Sequence, residues 1–234
     1  DSTSPIEMSR HYMEFMGYAI QPQRQIAAWF MHYGKGRNGK TILMTTMEKL
    51  MTSTAIRSGR IGEFETNRFA IGSLPGKLVL LDDDVDIGTK LPDGFLKSVS
   101  ERKLLTGEIK HKNHFEFIAR CLPVLLANNF PYTKDLSLGI RRRAHIIPFA
   151  HVFTDADADN KLFPYIWEHE LSGVLNRAIK GLHRLRARGE FDQPKDCVDA
   201  LQIWLNSANP LTAFLDECCN VVAESFVPIT PLYN

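Results

Sequence analysis

Gly34-Lys35-Gly36-Arg37-Asn38-Gly39-Lys40-Thr41 is the stretch on which the reading of this chain turns. Gly34, Gly39, Lys40 and Thr41 fit the spacing G-x-x-x-x-G-K-[ST]. Such a loop wraps a polyphosphate with backbone N–H groups, which requires glycines that tolerate positive φ and close backbone approach. Lys35, Gly36, Arg37 and Asn38 would supply the rest of that cradle. Lys40 would reach the β- and γ-phosphates of a nucleoside triphosphate such as ATP, and the Thr41 hydroxyl would hold Mg²⁺.

The flanks agree with this reading. Ile26-Ala27-Ala28-Trp29-Phe30-Met31 before the loop reads as a buried strand. Thr41-Ile42-Leu43-Met44 through Leu50-Met51 follows at helical spacing, so a phosphate would sit on a helix N-terminus. Working outward, Met8, Tyr12, Phe15, Met16 and Ala19 predict an amphipathic helix over 5–20, with Pro5 in its first turn and Pro22 after its end. Phe64, Phe69, Ile71 and Leu74 are expected as core anchors on short elements within 52–75. Leu78-Val79-Leu80-Leu81 and Cys121–Ala127 are apolar runs too short for helices and read as parallel strands, as does His145–Phe149. A helix is expected over 92–103 and a hairpin over 104–119.

Beyond residue 158 the pattern becomes helical. Val174, Leu175, Ala178, Ile179, Leu182 and Leu185 form one stripe that stops near Gly189; further helices are expected over 195–207 and from Pro210 with Leu211, Phe214 and Leu215. The expected class is α/β, a central parallel sheet flanked by helices, with an N-terminal helix and a C-terminal helical subdomain. The corresponding divisions are 1–25, 26–155 and 156–234. Both ends read as cuts, which suggests a fragment of a longer polypeptide.

With 44% hydrophobic and 24% charged residues among 234, the composition is that of a globular protein. The net charge of +1 excludes a polybasic coat, so any nucleic-acid contact must come from a local cluster. No apolar run is long enough to span a membrane and no signal-peptide pattern opens the chain, so a cytoplasmic location is expected. Cys121, Cys197, Cys218 and Cys219 form no Cys-x-x-Cys pair and read as reduced thiols.

Three further groups carry chemistry. Asp82-Asp83-Asp84 ends the Leu78–Leu81 strand, where one carboxylate would hold Mg²⁺ through water and a neighbour would act as base. Asp83 is favoured, with Asp82 and Asp84 close behind; a solvated acidic turn is the plain alternative. Asn128, at the end of the next strand, would orient the attacking water, although an Asn-rich turn needs no ligand. Arg141-Arg142-Arg143 precedes the His145–Phe149 strand. A guanidinium offered from there to a neighbouring copy's γ-phosphate would be an arginine finger.

Phosphate loop, acidic strand, Asn-ended strand and arginine pair occur in an order that resembles a superfamily 3 helicase, the AAA+ motor of viral, phage and plasmid replication proteins. The likeness is to the primase-helicase branch. It is carried by Gly34–Thr41, Leu78–Asp84, Asn128 with Pro131, Arg142-Arg143 with Ile147-Pro148-Phe149, and the tail around Glu170–Asn176 and Gly181-Leu182. The resemblance implies a P-loop AAA+ core over 26–155, a collar or linker over 1–25, and ATP with Mg²⁺ as ligands. It also implies single-stranded DNA or RNA as partner, a homo-oligomer of hexameric type, and a primase or polymerase domain on the same polypeptide. ATP would lie between protomers, with Arg142 or Arg143 supplied by the next copy.

Ile109-Lys110-His111-Lys112 resembles the Lys-His hairpin tip that papillomavirus and polyomavirus helicases push into their central channel. Lys110, His111 and Lys112 are therefore the expected nucleic-acid contacts. Where the family has Gly-Asp before the hairpin, this chain has Gly107-Glu108. Residues 97–120 are locally positive, which a solvated basic hairpin explains as well as a nucleic-acid grip. The rival classes are an ATPase that remodels protein clients or packages particles, and a nucleotide-gated replication scaffold.

Overall fold

The computed structural model describes residues 4–208 and Phe226. The helix expected from Pro210, with Leu211, Phe214 and Leu215, lies outside the described residues, as do Cys218 and Cys219.

The apolar runs become a five-stranded sheet. Its strands are β1 (Trp29–Tyr33), β2 (Ile56–Ser58), β3 (Val79–Val85), β6 (Leu122–Ala127) and β7 (Ala144–Pro148). Their spatial order is β2-β3-β6-β1-β7, and every neighbouring pair is parallel. All carboxyl ends therefore share one edge, where ligands of open α/β sheets bind. β4 (Leu104–Gly107) and β5 (Phe115–Ile118) form a separate antiparallel hairpin between β3 and β6 in the chain.

Alternation along the strands splits the core in two. Trp29, Met31, Leu80, Leu125 and Ile146 face one side and pack with α4 (Asp93–Ser100) and α8 (Lys195–Ala208). Phe30, Leu81, Val124 and Ile147 face the other side. There they meet α1 (Pro5–Ala19), α2 (Lys40–Leu50) and α7 (Leu171–Arg188). The late helices are thus part of the sheet's cover: α7 lies along α1 and α8 lies on β7. Phe15 and Met16 of α1 are fully buried, and each contributes about 1.5–3 kcal/mol of apolar transfer.

Local chemistry sets the boundaries. Ser4 caps α1, its hydroxyl accepting from Glu7 N–H at 3.3 Å while Glu7 returns a bond to Ser4 N–H at 3.0 Å. β1 begins at Trp29 rather than Ile26 because the Tyr18 hydroxyl holds both backbone groups of Ile26, donating to its carbonyl at 2.6 Å and accepting its N–H at 3.0 Å. α4 stops at Ser100, short of the expected 103, where Arg102 takes a left-handed φ of 56°. Pro123 is accommodated inside β6 because Leu122 donates to Leu78 on the β3 side, and the ladder with β1 starts only at Val124. Two expected core residues are exposed. Phe69 is 52% exposed on the short α3 (Arg68–Gly72), and Ile179 is 38% exposed on α7, where Ala178 and Gly181 meet α1 instead.

Below the sheet Arg24 is buried with no carboxylate paired to it among the described residues. Its guanidinium donates to the Tyr18 and Ala19 carbonyls at the end of α1, to Leu78 before β3 at 2.6 Å, and to Arg120 after β5 at 3.0 Å. The two α1 carbonyls carry the helix's negative end, which suits a cation. Burial lowers the Arg24 pKa to about 10.

Candidate active site

The loop 34–41 leaves β1 at the carboxyl edge and runs into α2. Gly34 N–H donates to Ala127 at 3.1 Å, and a Cβ on Gly34 would strike the Phe149 carbonyl and the Asn38 amide. Gly39 takes a φ of 87° as the N-cap of α2, a conformation that favours glycine. Asn38 is buried and donates to Phe149 at 3.0 Å, which joins the loop to the end of β7.

Lys40 is the buried cation of the loop. Its Nζ donates to the Gly34 carbonyl, to Asn38 Oδ1 at 3.1 Å and to Asn128 Oδ1 at 3.0 Å. The loop lysine and the strand-end asparagine are therefore neighbours, although 88 positions separate them in the chain. Burial lowers the Lys40 pKa. Thr41 is exposed at the first turn of α2. A cleft of about 480 Å³ opens here, lined by residues 36–42 with Thr45, Asp83, Asp84, Leu126 and Asn128.

The three aspartates part company. Asp82 follows Leu80 to the face opposite α2 and is only 2% exposed. Its Oδ2 accepts Ile61 N–H at 2.7 Å, and Oδ1 lies 3.4 Å from both Asp84 N and Arg60 Nη1. Burial raises the Asp82 pKa against the pull of those N–H bonds and of Arg60. Asp83 follows Leu81 to the side of α2, where burial and then the charge of Asp83 raise the Glu48 pKa. The register of β3 on β6 shifts between Asp82 and Val85, so Asp83 and Asp84 both line the cleft while Val85 returns to the core. Two carboxylates, a hydroxyl, a buried ammonium and a carboxamide thus gather round an amide-rich loop at a helix N-terminus. Those groups fit a polyphosphate with a hard divalent cation, which takes oxygen ligands.

A strap after β7 covers part of the loop. Phe153 N–H donates to the Arg37 carbonyl at 2.8 Å, and Arg37, at a φ of 60°, pairs its guanidinium with Asp155. Beside the cleft, Tyr12, Met13, Ile42, Phe149, Phe153 and Phe163 line a second cavity of about 450 Å³ that is mostly apolar. Asp155 and Phe153 have no motif around them and were not legible in the sequence.

The arginines lie elsewhere. α5 (Leu138–Arg143) leads into the start of β7, which pairs with the start of β1, so it sits at the amino edge of the sheet. Arg143 is turned inward and bonds the Gly139 carbonyl and Glu101; Arg141 donates to Gln202 at 2.9 Å. Arg142 is exposed, and nothing among the described residues holds it. The Lys110-His111-Lys112 tip is exposed at the turn of the hairpin, with His111 at a φ of 64° and Lys112 N–H donating to Ile109 at 2.9 Å. Tip and cleft are brought together by no direct contact.

The family described as a family of unknown function (DUF5906) matches residues 32–143, from β1 through α5. Among solved structures, the A form apo structure of the NrS-1 C terminal region shares this fold. Its TM-score is 0.58 at 13% identity, over 89% of this chain and 52% of that one. The apo structure of NrS-1 C terminal region 305–718 gives 0.57 at 16% identity, over 85% and 47%. A JCV helicase superposes at 0.44 with 13% identity, over 88% and 62%, too loosely to argue from. No curated protein matches the chain. The chain spans about half the length of the NrS-1 structures, and what it shares with them is the α/β fold.

Proposed function

We propose that this chain is the ATPase core of a ring-forming helicase or translocase that moves single-stranded nucleic acid, DNA in the first instance, during replication. The observation that carries the reading is the meeting of Lys40, Asn128, Asp83 and Asp84 around loop 34–41 at the carboxyl edge of a parallel sheet. The parallel sheet with the loop strand in its interior supports a P-loop AAA+ assignment for 26–155. α1, α7 and α8 pack on that core, so we take the N-terminal segment and the helical tail as its supports.

In this reading Gly34–Thr41 wrap the triphosphate with backbone amides, and Lys40 leaves Asn128 to meet the β- and γ-oxygens. Thr41 and Asp83 hold Mg²⁺, which when bound neutralises charge on the phosphate oxygens. Asp84 takes the proton of the attacking water, and Asn128 orients that water. The base occupies the apolar cavity beside Ile42 and Phe149. Asp82 has another task, since its carboxylate faces away from the cleft and bonds Ile61.

Arg142 is the arginine that stabilises the transferring phosphoryl group, and it does so in a neighbouring copy. Arg143 is already engaged by Glu101. A hexameric ring would meet both needs, placing the Lys110, His111 and Lys112 tips along a central strand. Lysine contacts to phosphates carry charge and read no sequence. A primase or polymerase domain elsewhere on the polypeptide and a cytoplasmic site of replication belong to the same proposal. No helix among the described residues is long and apolar enough to cross a membrane.

The deciding experiment measures ATP turnover with and without an oligonucleotide, alongside particle mass with a non-hydrolysable analogue. Turnover stimulated by the oligonucleotide, but not by unfolded protein, in a particle of several copies is the expected result. Full turnover by a monomer indifferent to added strands would overturn the reading.

A further inference from the structure

Asp82 presents a carboxylate to a segment, not to the cleft. That segment, residues 60–72, runs from the acidic strand to the hairpin. At its start, Ile61 N–H is fixed on Asp82 Oδ2 at 2.7 Å, and Arg60 faces three acids at once. Arg60 Nη1 lies 3.4 Å from Asp82 Oδ1, and Nη2 lies 3.9 Å from Asp84 Oδ2 and 4.0 Å from Asp86 Oδ1. Asp82 is buried and cannot turn away, whereas Asp84 is exposed and lines the cleft. Ligand charge arriving in the cleft beside Asp84 therefore changes the balance of forces on Arg60.

The middle of the segment is a strut anchored in the core. Ile61 and Phe64 are fully buried, and Phe64 stacks on Phe95 with ring centroids 5.2 Å apart. Asn67 caps α3 by accepting from Phe69 N–H at 3.0 Å and Ala70 N–H at 3.2 Å. At the far end, the Arg68 carbonyl accepts Glu108 N–H at 3.0 Å. Gly72 and Gly107 touch backbone to backbone: a Cβ on Gly107 would lie 2.7 Å from Gly72 Cα, and one on Gly72 would strike the Glu108 backbone. The strut thus meets the hairpin just before the Lys110-His111-Lys112 tip, with no side chain between to absorb a displacement.

We propose that Arg60 is a positioning residue that couples the charge state of the cleft to the hairpin, through the strut that ends at Gly72. This rests on the reading of the cleft as an ATP site and of the hairpin as the strand contact. Arg60 touches neither ATP nor strand; it reports Asp84 to Ile61, and the strut carries the report to Glu108. Such coupling requires an element whose position both sites bias.

The test compares wild-type chain with Arg60→Gln, Arg60→Lys and Gly72→Ala. It reads strand-free turnover, strand affinity without nucleotide, and the factor by which each ligand promotes the other. Arg60→Gln should change strand-free turnover and nucleotide-free strand affinity by much less than it changes the coupling factor, which should fall about 5-fold or more. Arg60→Lys should recover part of the loss, because it restores the charge without the fork, and Gly72→Ala should lose coupling from the other end. Wild-type coupling in Arg60→Gln, or equal loss of turnover and strand affinity in it, would overturn the proposal. So would wild-type coupling in folded Gly72→Ala. A wild-type chain with no turnover, or no strand affinity, overturns the underlying reading and the coupling with it.

Discussion

Lys40, at the carboxyl edge of the sheet, is buried and bonded to loop carbonyls and to Asn128. Arg142, at the amino edge, is exposed and held by nothing among the described residues. β1 has five residues, so the two edges lie about 16 Å apart along the strand. The first cation is held in place by its own chain, against loop carbonyls and the end of the neighbouring strand. The second has no partner among the described residues. In the proposed reading, a complete site would draw on the carboxyl edge of one copy and the amino edge of another.

The largest expected effect tests that division. Arg142→Ala should lower turnover by about 10³-fold or more while leaving ATP affinity intact, and mixing it with Lys40→Ala protein should restore part of the rate at hybrid interfaces. Steady-state turnover of the mixtures checks this; no recovery would remove the role of the amino edge. Lys40→Ala alone should cost about 10²–10³ in turnover through lost transition-state charge stabilisation, measured at saturating ATP.

Arg143→Met sharpens the contrast between adjacent arginines. It breaks the Glu101 pair and should lower stability by about 2 kcal/mol, read from a urea midpoint. Its turnover should stay near wild type once folded, the opposite of Arg142→Ala.

The ground between the edges is sensitive to acid. His32 and His145 are buried on β1 and β7 with no hydrogen-bond partner on either ring nitrogen among the described residues, and His145 stacks on Phe30 at 4.8 Å. Burial lowers each pKa to about 3, helped at His32 by Lys40 and then His11 and at His145 by His11 alone. The unfolded chain therefore takes up protons near pH 6.5 that the fold refuses. Stability should be level above that pH and fall below it, by up to about 1.4 kcal/mol per pH unit for each histidine. Melting temperatures at pH 7.5 and pH 5 check the slope, and His145→Phe should reduce it.

The smallest effect concerns the hairpin. Lys110→Ala should leave strand-free turnover unchanged and weaken strand affinity. If six lysines meet phosphates in a ring, log K should fall with log salt at a slope of roughly −4, and the variant should flatten it. Titration at several salt concentrations would show this; an unchanged slope would free the tip of its assigned contact.

Much of the carboxyl edge was legible because its signals are local. The loop glycines, Lys40 and the acidic end of β3 stand in fixed register with their own elements, and the apolar runs gave the interior strands directly. What could not be read depends on distant partners. Which aspartate enters the cleft follows from the register shift between Asp82 and Val85, and which arginine is free follows from Glu101, 42 positions away. β2 was missed because an edge strand of three residues with Arg57 and Ser58 has too little apolar pattern to register. Phe69 was placed inside by its hydrophobicity alone, whereas α3 is too short to bury both sides. Nothing near Arg60 in sequence announces the acids it faces.

Arg24 gathers carbonyls from positions 18, 19, 78 and 120, so its bonds cannot close until both ends of that span have come together. Loop-closure entropy must be met before contacts of such separation reward it, so we expect these bonds to form after the transition state. Losing the guanidinium should therefore hasten the loss of native structure far more than it delays its formation. A single side chain that ties the end of α1 to the strands' starts would then set how long the native state lasts.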